Sequence, residues 1–214
     1  RPLDAMRAGE PHAPAFPVAM THPLHRSPLC HPEHLGTPIP DSLHAVSVCL
    51  PTWADVIGYE DKEPRVVDKM RTGYPRFFFH PLIHQVRTAL EPKTGRDVLP
   101  FADQAAATKC AALTSGQAVQ VDGLWAAYFP QKNLPVARAF WQHAGRIFSS
   151  RAAEDWLATR RLAAPDPALE QTLRDRLSSW SGAPATNISL HPSGMAAIFT
   201  AFEAVTARRP DRRT

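Results

Sequence analysis

The chain is poor in cysteine and lysine and has no long apolar run. Three cysteines, Cys30, Cys49 and Cys110, stand far apart among 214 residues. An odd, scattered set argues against a disulfide scaffold and makes a reducing cytoplasm the expected compartment. No stretch of ~18 apolar residues occurs, so no membrane-spanning helix is expected. The N-terminus lacks the apolar core of a secretory signal. There are five lysines, none after Lys132. The net charge of +4 is small and scattered, with no basic stripe interleaved with aromatics. No nucleic-acid partner is therefore expected. No internal repeat occurs.

What is present reads as globular. The chain is 44% hydrophobic and 21% charged, and long enough for one ordinary domain. It has 22 prolines, many of them before Pro100, which predicts extended or looped backbone in that half. It opens on Arg1 rather than Met, as a fragment or processed product would. Residues 1–40 read as a Pro/His-rich extended arm. His22, His25, Cys30, His31 and His34 have zinc-ligand chemistry, but their spacing matches no standard finger and the prolines oppose a compact turn. A solvated or partner-covered arm is the competing reading, and no metal ligand is assigned.

Residues 45–50 alternate as a strand, stopped by Pro51. Thr52 caps a short predicted helix through Ile57, and a second runs from Glu63 to Arg71, with Gly73 as its stop. Phe77, Phe78 and Phe79 beside Arg76 read either as core with Arg76 at the rim, or as a ligand wall or subunit contact. Asp103 to Thr114 is a predicted helix. Cys110 on its apolar side is filler, with no His partner in reach. Asp122-Gly123 between two apolar runs is a two-residue hairpin signal. Further helices are predicted from Pro135 to His143, from Arg151 to Leu162, and from Asp166 to Trp180. The last carries Leu169, Leu173 and Leu177 on one face.

The most informative stretch is Asn187 to Phe199. Ile188 and Leu190 alternate with polar residues as a short strand, and Pro192 ends it. Ser193 is a good helix N-cap and Gly194 permits close approach of a ligand. Met195 to about Ala207 reads as helix. Such a turn aims free backbone N–H groups and a positive dipole end at one spot, an arrangement suited to phosphate.

Ser193-Gly194-Met195-Ala196-Ala197-Ile198 resembles the cofactor-phosphate loop of the pyridoxal-phosphate (PLP) enzymes of cysteine and methionine metabolism. The segments 44–53, 58–60, 73–78, Trp141-Gln142-His143 and Ser149-Ser150-Arg151 are similar to the cystathionine gamma-synthase-like branch. The resemblance runs from about Leu35 to the C-terminus. It implies an α/β chain, helix-rich with few strands. That chain would be the N-terminal part of a fold-type I PLP-dependent transferase of the aspartate aminotransferase-like kind, with its large-domain sheet incomplete. Residues 41–182 would form an N-terminal α+β region, and residues 183–214 would open the PLP-binding large domain.

By the same resemblance, Ser193, Gly194 and Met195 would hold the PLP phosphate. The family's Schiff-base lysine, ring-nitrogen aspartate and stacking tyrosine follow this motif and have no counterpart here, so no catalytic residue is assigned. Many family members lend a Tyr-x-Arg pair to the neighbouring subunit's phosphate. Here that place reads Trp141-Gln142-His143, which leaves His143 or Arg151 as the candidate contact across a subunit interface. The complete enzyme would be a homo-oligomer, dimer or tetramer, acting on small amino-acid substrates by γ-replacement. A non-catalytic binding or assembly module derived from the family, and a metal-binding arm on an unrelated domain, remain the alternatives.

Overall fold

A computed structural model describes residues 28–38, 42–45, 49–70, 77–90 and 94–209. Its helices are α1 (Trp53–Glu60), α2 (Pro64–Val67), α3 (Pro81–Ala89), α4 (Gln104–Leu113), α5 (Leu134–Ala144), α6 (Ser150–Thr159), α7 (Pro167–Ser181) and α8 (Gly194–Arg208). The strands are β1 (Arg96–Phe101), β2 (Gln117–Val121) and β3 (Leu124–Pro130). They form one antiparallel sheet in the order β1-β3-β2. The chain is thus a helix-rich α/β structure with few strands.

Alternation sorts the side chains of β1 and β3 onto two buried faces. Val98, Leu124 and Ala126 face a core supplied by Leu82, Ile83 and Val86 of α3 and by Ala153 and Trp156 of α6. Leu99, Phe101, Ala127 and Phe129 face Ala107, Cys110 and Ala111 of α4 and Ala137 and Trp141 of α5. Helices cover both faces, which antiparallel sheets often leave half solvated. Alanines at 126, 127, 106, 107 and 111 bring the layers close, and Trp141 and Trp156 fill the wider gaps.

Caps and turns behave as their chemistry requires. Thr52, Asp103, Ser149 and Asp166 each accept a backbone N–H of the helix they open. Asp122 and Gly123 both take positive φ, 49° and 83°, and so close the β2–β3 hairpin with a primed turn.

The edge of β1 is sealed from Val98 onward. Val98, Pro100 and Ala102 point their backbone groups away from β3. The N–H of Val98 donates to Asp97 Oδ1 at 2.7 Å, and its carbonyl accepts from Arg87 Nε at 3.0 Å. Pro100 has no N–H, and its carbonyl accepts from Trp141 Nε1 at 3.3 Å. The N–H of Ala102 donates to the Arg146 carbonyl at 3.1 Å.

Three expectations change, and one pattern gains a setting. Residues 188–190 form no strand; a 3-10 turn (Ala185–Asn187) precedes extended backbone, because no described strand lies beside it to pair. The second helix is a single turn, Pro64–Val67, with Val66 and Met70 buried beneath it. The helix after Ser149 stops at Thr159 because Arg160 turns left-handed at φ 53° and lays its guanidinium over the Trp156 ring at 4.9 Å. Helix α7 buries none of its residues, so the face carrying Leu169, Leu173 and Leu177 is not core. The predicted strand at 45–50 and the stop at Gly73 fall partly or wholly outside the described residues.

Candidate functional site

The turn at Ser193 is held from three sides. Ser193 is the N-cap of α8, and its Oγ accepts from the Ala196 N–H at 3.1 Å. The same hydroxyl donates to the Gly145 carbonyl at 2.8 Å. Gly145 ends α5 in the left-handed region at φ 66°. A Cβ on Gly145 would lie 2.6 Å from the Met195 Cβ and 2.8 Å from the Ala196 nitrogen. Glycine is therefore required there both for its φ and for the close approach of the two segments.

Helix α8 then lies along α5. Phe199 meets Phe140 edge-on with ring centroids 6.1 Å apart, and Ala196 is buried at the contact. Arg146 Nη2 donates to Thr200 Oγ1 at 2.8 Å, while Nη1 lies 3.4 Å from Asp103 Oδ1. Lys109 pairs with Glu203 and sits 5.1 Å from the Phe199 ring centroid.

Of the expected phosphate contacts, the backbone N–H groups of Gly194 and Met195 open α8, where no intrahelical acceptor exists for them. The space a Cβ on Gly194 would fill is open to 4 Å. The Ser193 hydroxyl donates its proton to the Gly145 carbonyl. His143 and Arg151 are both exposed. His143 stands two residues before Gly145, and Arg151 lies in the first turn of α6, whose cap is Ser149. Trp141, between β1 and Phe79, packs rather than projects, with its ring centroid 4.8 Å from that of Phe79. Sequence reasoning missed Gly145 and Arg146. The glycine following a helix was legible as a stop, but its contact with Met195 joins segments 50 residues apart.

Other candidate chemistry resolves into structure. Burial pushes the Cys110 thiol up to about 12, against a weaker hydrogen bond from Thr114. A thiol so protonated is a poor nucleophile. His34 Nδ1 accepts from the His31 N–H at 3.2 Å, and the two rings meet edge-on. Among the described residues, no three His, Cys, Asp or Glu side chains converge on a metal position. His22 and His25 lie outside the described residues. His44 bridges Ser150 Oγ (3.0 Å) and Glu154 Oε2 (2.8 Å), tying residues 42–45 to α6. The Phe run divides: Phe79 packs against Trp141, whereas Phe77 and Phe78 line an open cavity.

The chain matches curated cystathionine gamma-synthases. That of Saccharomyces cerevisiae is 33% identical over 142 residues, which is 54% of this chain and 22% of the relative. That of Neurospora crassa is 34% identical over 159 residues, 58% of this chain and 26% of the relative. Over part of its length, the chain is homologous to the cystathionine gamma-synthase-like family. A further relative, the L-2-amino-4-chloropent-4-enoate dechlorinase/desaturase of Streptantibioticus cattleyicolor, is 33% identical over 194 residues, 82% of this chain and 39% of the relative. The chain thus spans between a fifth and two fifths of the length of these three relatives. No family model matches the chain, and no solved structure matches it significantly. No described helix is long and apolar enough to cross a membrane.

Proposed function

We propose that the chain is the N-terminal part of a PLP-dependent enzyme of the cystathionine gamma-synthase-like branch. In this reading, residues 183–214 open a fold-type I large domain and α8 presents its N-terminus to the cofactor phosphate. The carrying observation is the turn at Ser193. Its hydroxyl is engaged by Gly145, the Gly194 side is open, and the first helical N–H groups have no internal acceptor. These residues offer donors that fit a phosphate, and by the resemblance the Schiff-base lysine would follow this motif, where the chain has no lysine. When bound, PLP draws electrons from the α-carbon of an amino-acid substrate. This chain's own residues bind and orient the phosphate.

The whole protein would join cysteine to an O-acyl-homoserine, the sulfur replacing the acyloxy group at the γ-carbon, as a homo-oligomer. His143 or Arg151 would reach the partner subunit's phosphate. The names of the relatives support chemistry at that carbon, since 4-chloropent-4-enoate carries its chlorine there. Two assays test the reading. The 214-residue chain, incubated with one equivalent of PLP and desalted before borohydride reduction, should retain no covalent cofactor. The polypeptide extended by its own reading frame should form cystathionine from cysteine and O-succinyl- or O-acetylhomoserine. Covalent retention by this chain, or an extended protein with PLP and no γ-chemistry, would sink it.

A second reading, an assembly module, rests on two exposed apolar stripes. Helix α7 shows Leu169, Leu173, Leu177 and Trp180, the last 72% exposed. Helix α8 shows Ile198, Phe202 and Val205, the first 65% exposed. Such patches mark association surfaces. Sedimentation of the chain alone should then show a concentration-dependent oligomer that Leu173→Glu with Phe202→Glu dissolves. A monomer at all concentrations removes this reading.

A further inference from the structure

The cavity beside the Phe run shares no lining residue with the Ser193 turn and has a different chemistry. It encloses about 750 Å³, within the range of small-molecule sites. Tyr59 and Phe78 form one apolar wall, their ring centroids 6.1 Å apart and tilted by 38°. Phe77 extends that wall and is partly open to solvent. Charges of both signs share the lining: Glu60, Lys62 and Arg138.

The placement of these charges is unusual for plain helix stability. Glu60 is the last residue of α1, where the helix dipole is negative and a carboxylate is unfavourable. The Ile57, Gly58 and Tyr59 carbonyls already accept from Asp61, Glu63 and Lys62, so the Glu60 carboxylate is the group here that favours a cation. Arg138 brings the opposite charge to the same lining, and it is prearranged. Its Nη2 donates to the Phe77 carbonyl at 2.8 Å, and its guanidinium carbon lies 5.3 Å from the Phe79 ring centroid. Among the described residues, no carboxylate pairs with Arg138 or Lys62. A fixed guanidinium with spare donors suits a carboxylate.

We propose that this cavity binds a free α-amino acid with a bulky apolar side chain. Its ammonium lies at Glu60, its carboxylate at Arg138 and Lys62, and its side chain against Tyr59 and Phe78. The cavity is large enough for the bulkiest α-amino acids with water beside them. The inference needs no cofactor and stands independently of the reading of the Ser193 turn.

Calorimetric titration of the full 214-residue chain with L-tryptophan, L-phenylalanine and L-methionine tests it. At least one should bind saturably. Its N-acetyl derivative, which lacks the ammonium, and its amide, which lacks the carboxylate, should each bind about tenfold more weakly or worse. Glu60→Gln should abolish the preference for the free amine, and Lys62→Gln and Arg138→Gln the preference for the free acid. Arg138→Gln also loses the bond to Phe77. Glu60→Gln and Lys62→Gln, at exposed positions, therefore decide the outcome if that variant folds poorly. No saturable binding of all three up to about 10 mM overturns the proposal. So does N-acetyl or amide binding equal to that of the free amino acid, or affinity unchanged in Glu60→Gln and Lys62→Gln.

Discussion

The Ser193 hydroxyl donates to the Gly145 carbonyl at 2.8 Å, joining the turn before α8 to the turn after α5 across 48 residues of sequence. One side chain therefore caps a helix and docks it. The start of α8 is fixed relative to the sheet domain by this bond and by the close packing of Gly145 on Met195.

Removing either partner should loosen α8 first. Ser193→Ala loses a cap and a docking bond and should destabilise the chain by about 1–2 kcal/mol. Gly145→Ala should be worse, because a Cβ there is both strained in the left-handed region and in collision. Denaturant melts read the size of the effect. Hydrogen exchange should localise it to residues 194–208; a uniform loss of protection would contradict the docking role.

Trp141 is a second test of the architecture. It is buried against Phe79 and donates to the Pro100 carbonyl at the sealed edge. Trp141→Ala should cost about 3–5 kcal/mol. Trp141→Phe should cost less but still lose the bond to Pro100. Equal and small effects for both in thermal melts would mean that the core tolerates the void.

Thiol reactivity should separate the three cysteines. Cys30 is exposed, whereas Cys49 and Cys110 are buried. One equivalent of a thiol reagent should react quickly with the native chain, and three after unfolding. Burial raises the Cys110 thiol from 9.0 to about 12, so the unfolded chain deprotonates first. Its contribution to stability is full below pH 9 and declines as pH rises from 9 toward 12. Cys110→Ala should flatten that alkaline decline in denaturant midpoints.

Acid stability should depend on α1. Asp55 is held below the usual carboxylate range, first by the Thr52 hydroxyl and then by Arg65. A depressed carboxylate stabilises the fold at neutral pH, and that stability fades as pH falls below 3.8 and through the lower folded value. Asp55→Asn should thus be less stable than the parent at pH 7, and the gap should narrow in strong acid. His84 is pulled below 6.5, first by desolvation and then by Arg87 and Arg138, so it resists protonation. Its share of stability is present above 6.5 and is lost as pH falls from there. His84→Gln should weaken the dependence between pH 7 and 5, read by thermal midpoints.

The sequence made local grammar legible and hid what depends on distant partners. The caps at Thr52 and Ser193 and the Asp122-Gly123 turn each depend on neighbours within four residues, and they form as expected. Strand β1 escaped notice because Pro100 reads as a breaker. It is tolerated because β1 is an edge and Pro100 faces outward. The strand expected at 188–190 failed for the opposite reason. Its alternation is real, but a strand needs a neighbour and none is described there. Helix α3 went unread because its cap is His80, whose Nδ1 accepts from the Leu82 N–H at 3.1 Å, an uncommon role for histidine. The leucine face of α7 was legible as a pattern, but not as a surface left open to solvent.

The sealed border of β1 has a consequence for how copies of this chain misassociate. Its outward backbone groups at 98, 100 and 102 are taken by Asp97, Arg87, Trp141 and Arg146 or are missing outright, so a foreign strand finds no ladder to join. The opposite border, β2, is short and carries Gln117 and Gln120 facing water. Among the described strands, runaway sheet growth in a crowded expression host would begin at β2 and run one way. A single lysine or proline in that strand should raise soluble yield, while the same change on the β1 side should do nothing useful.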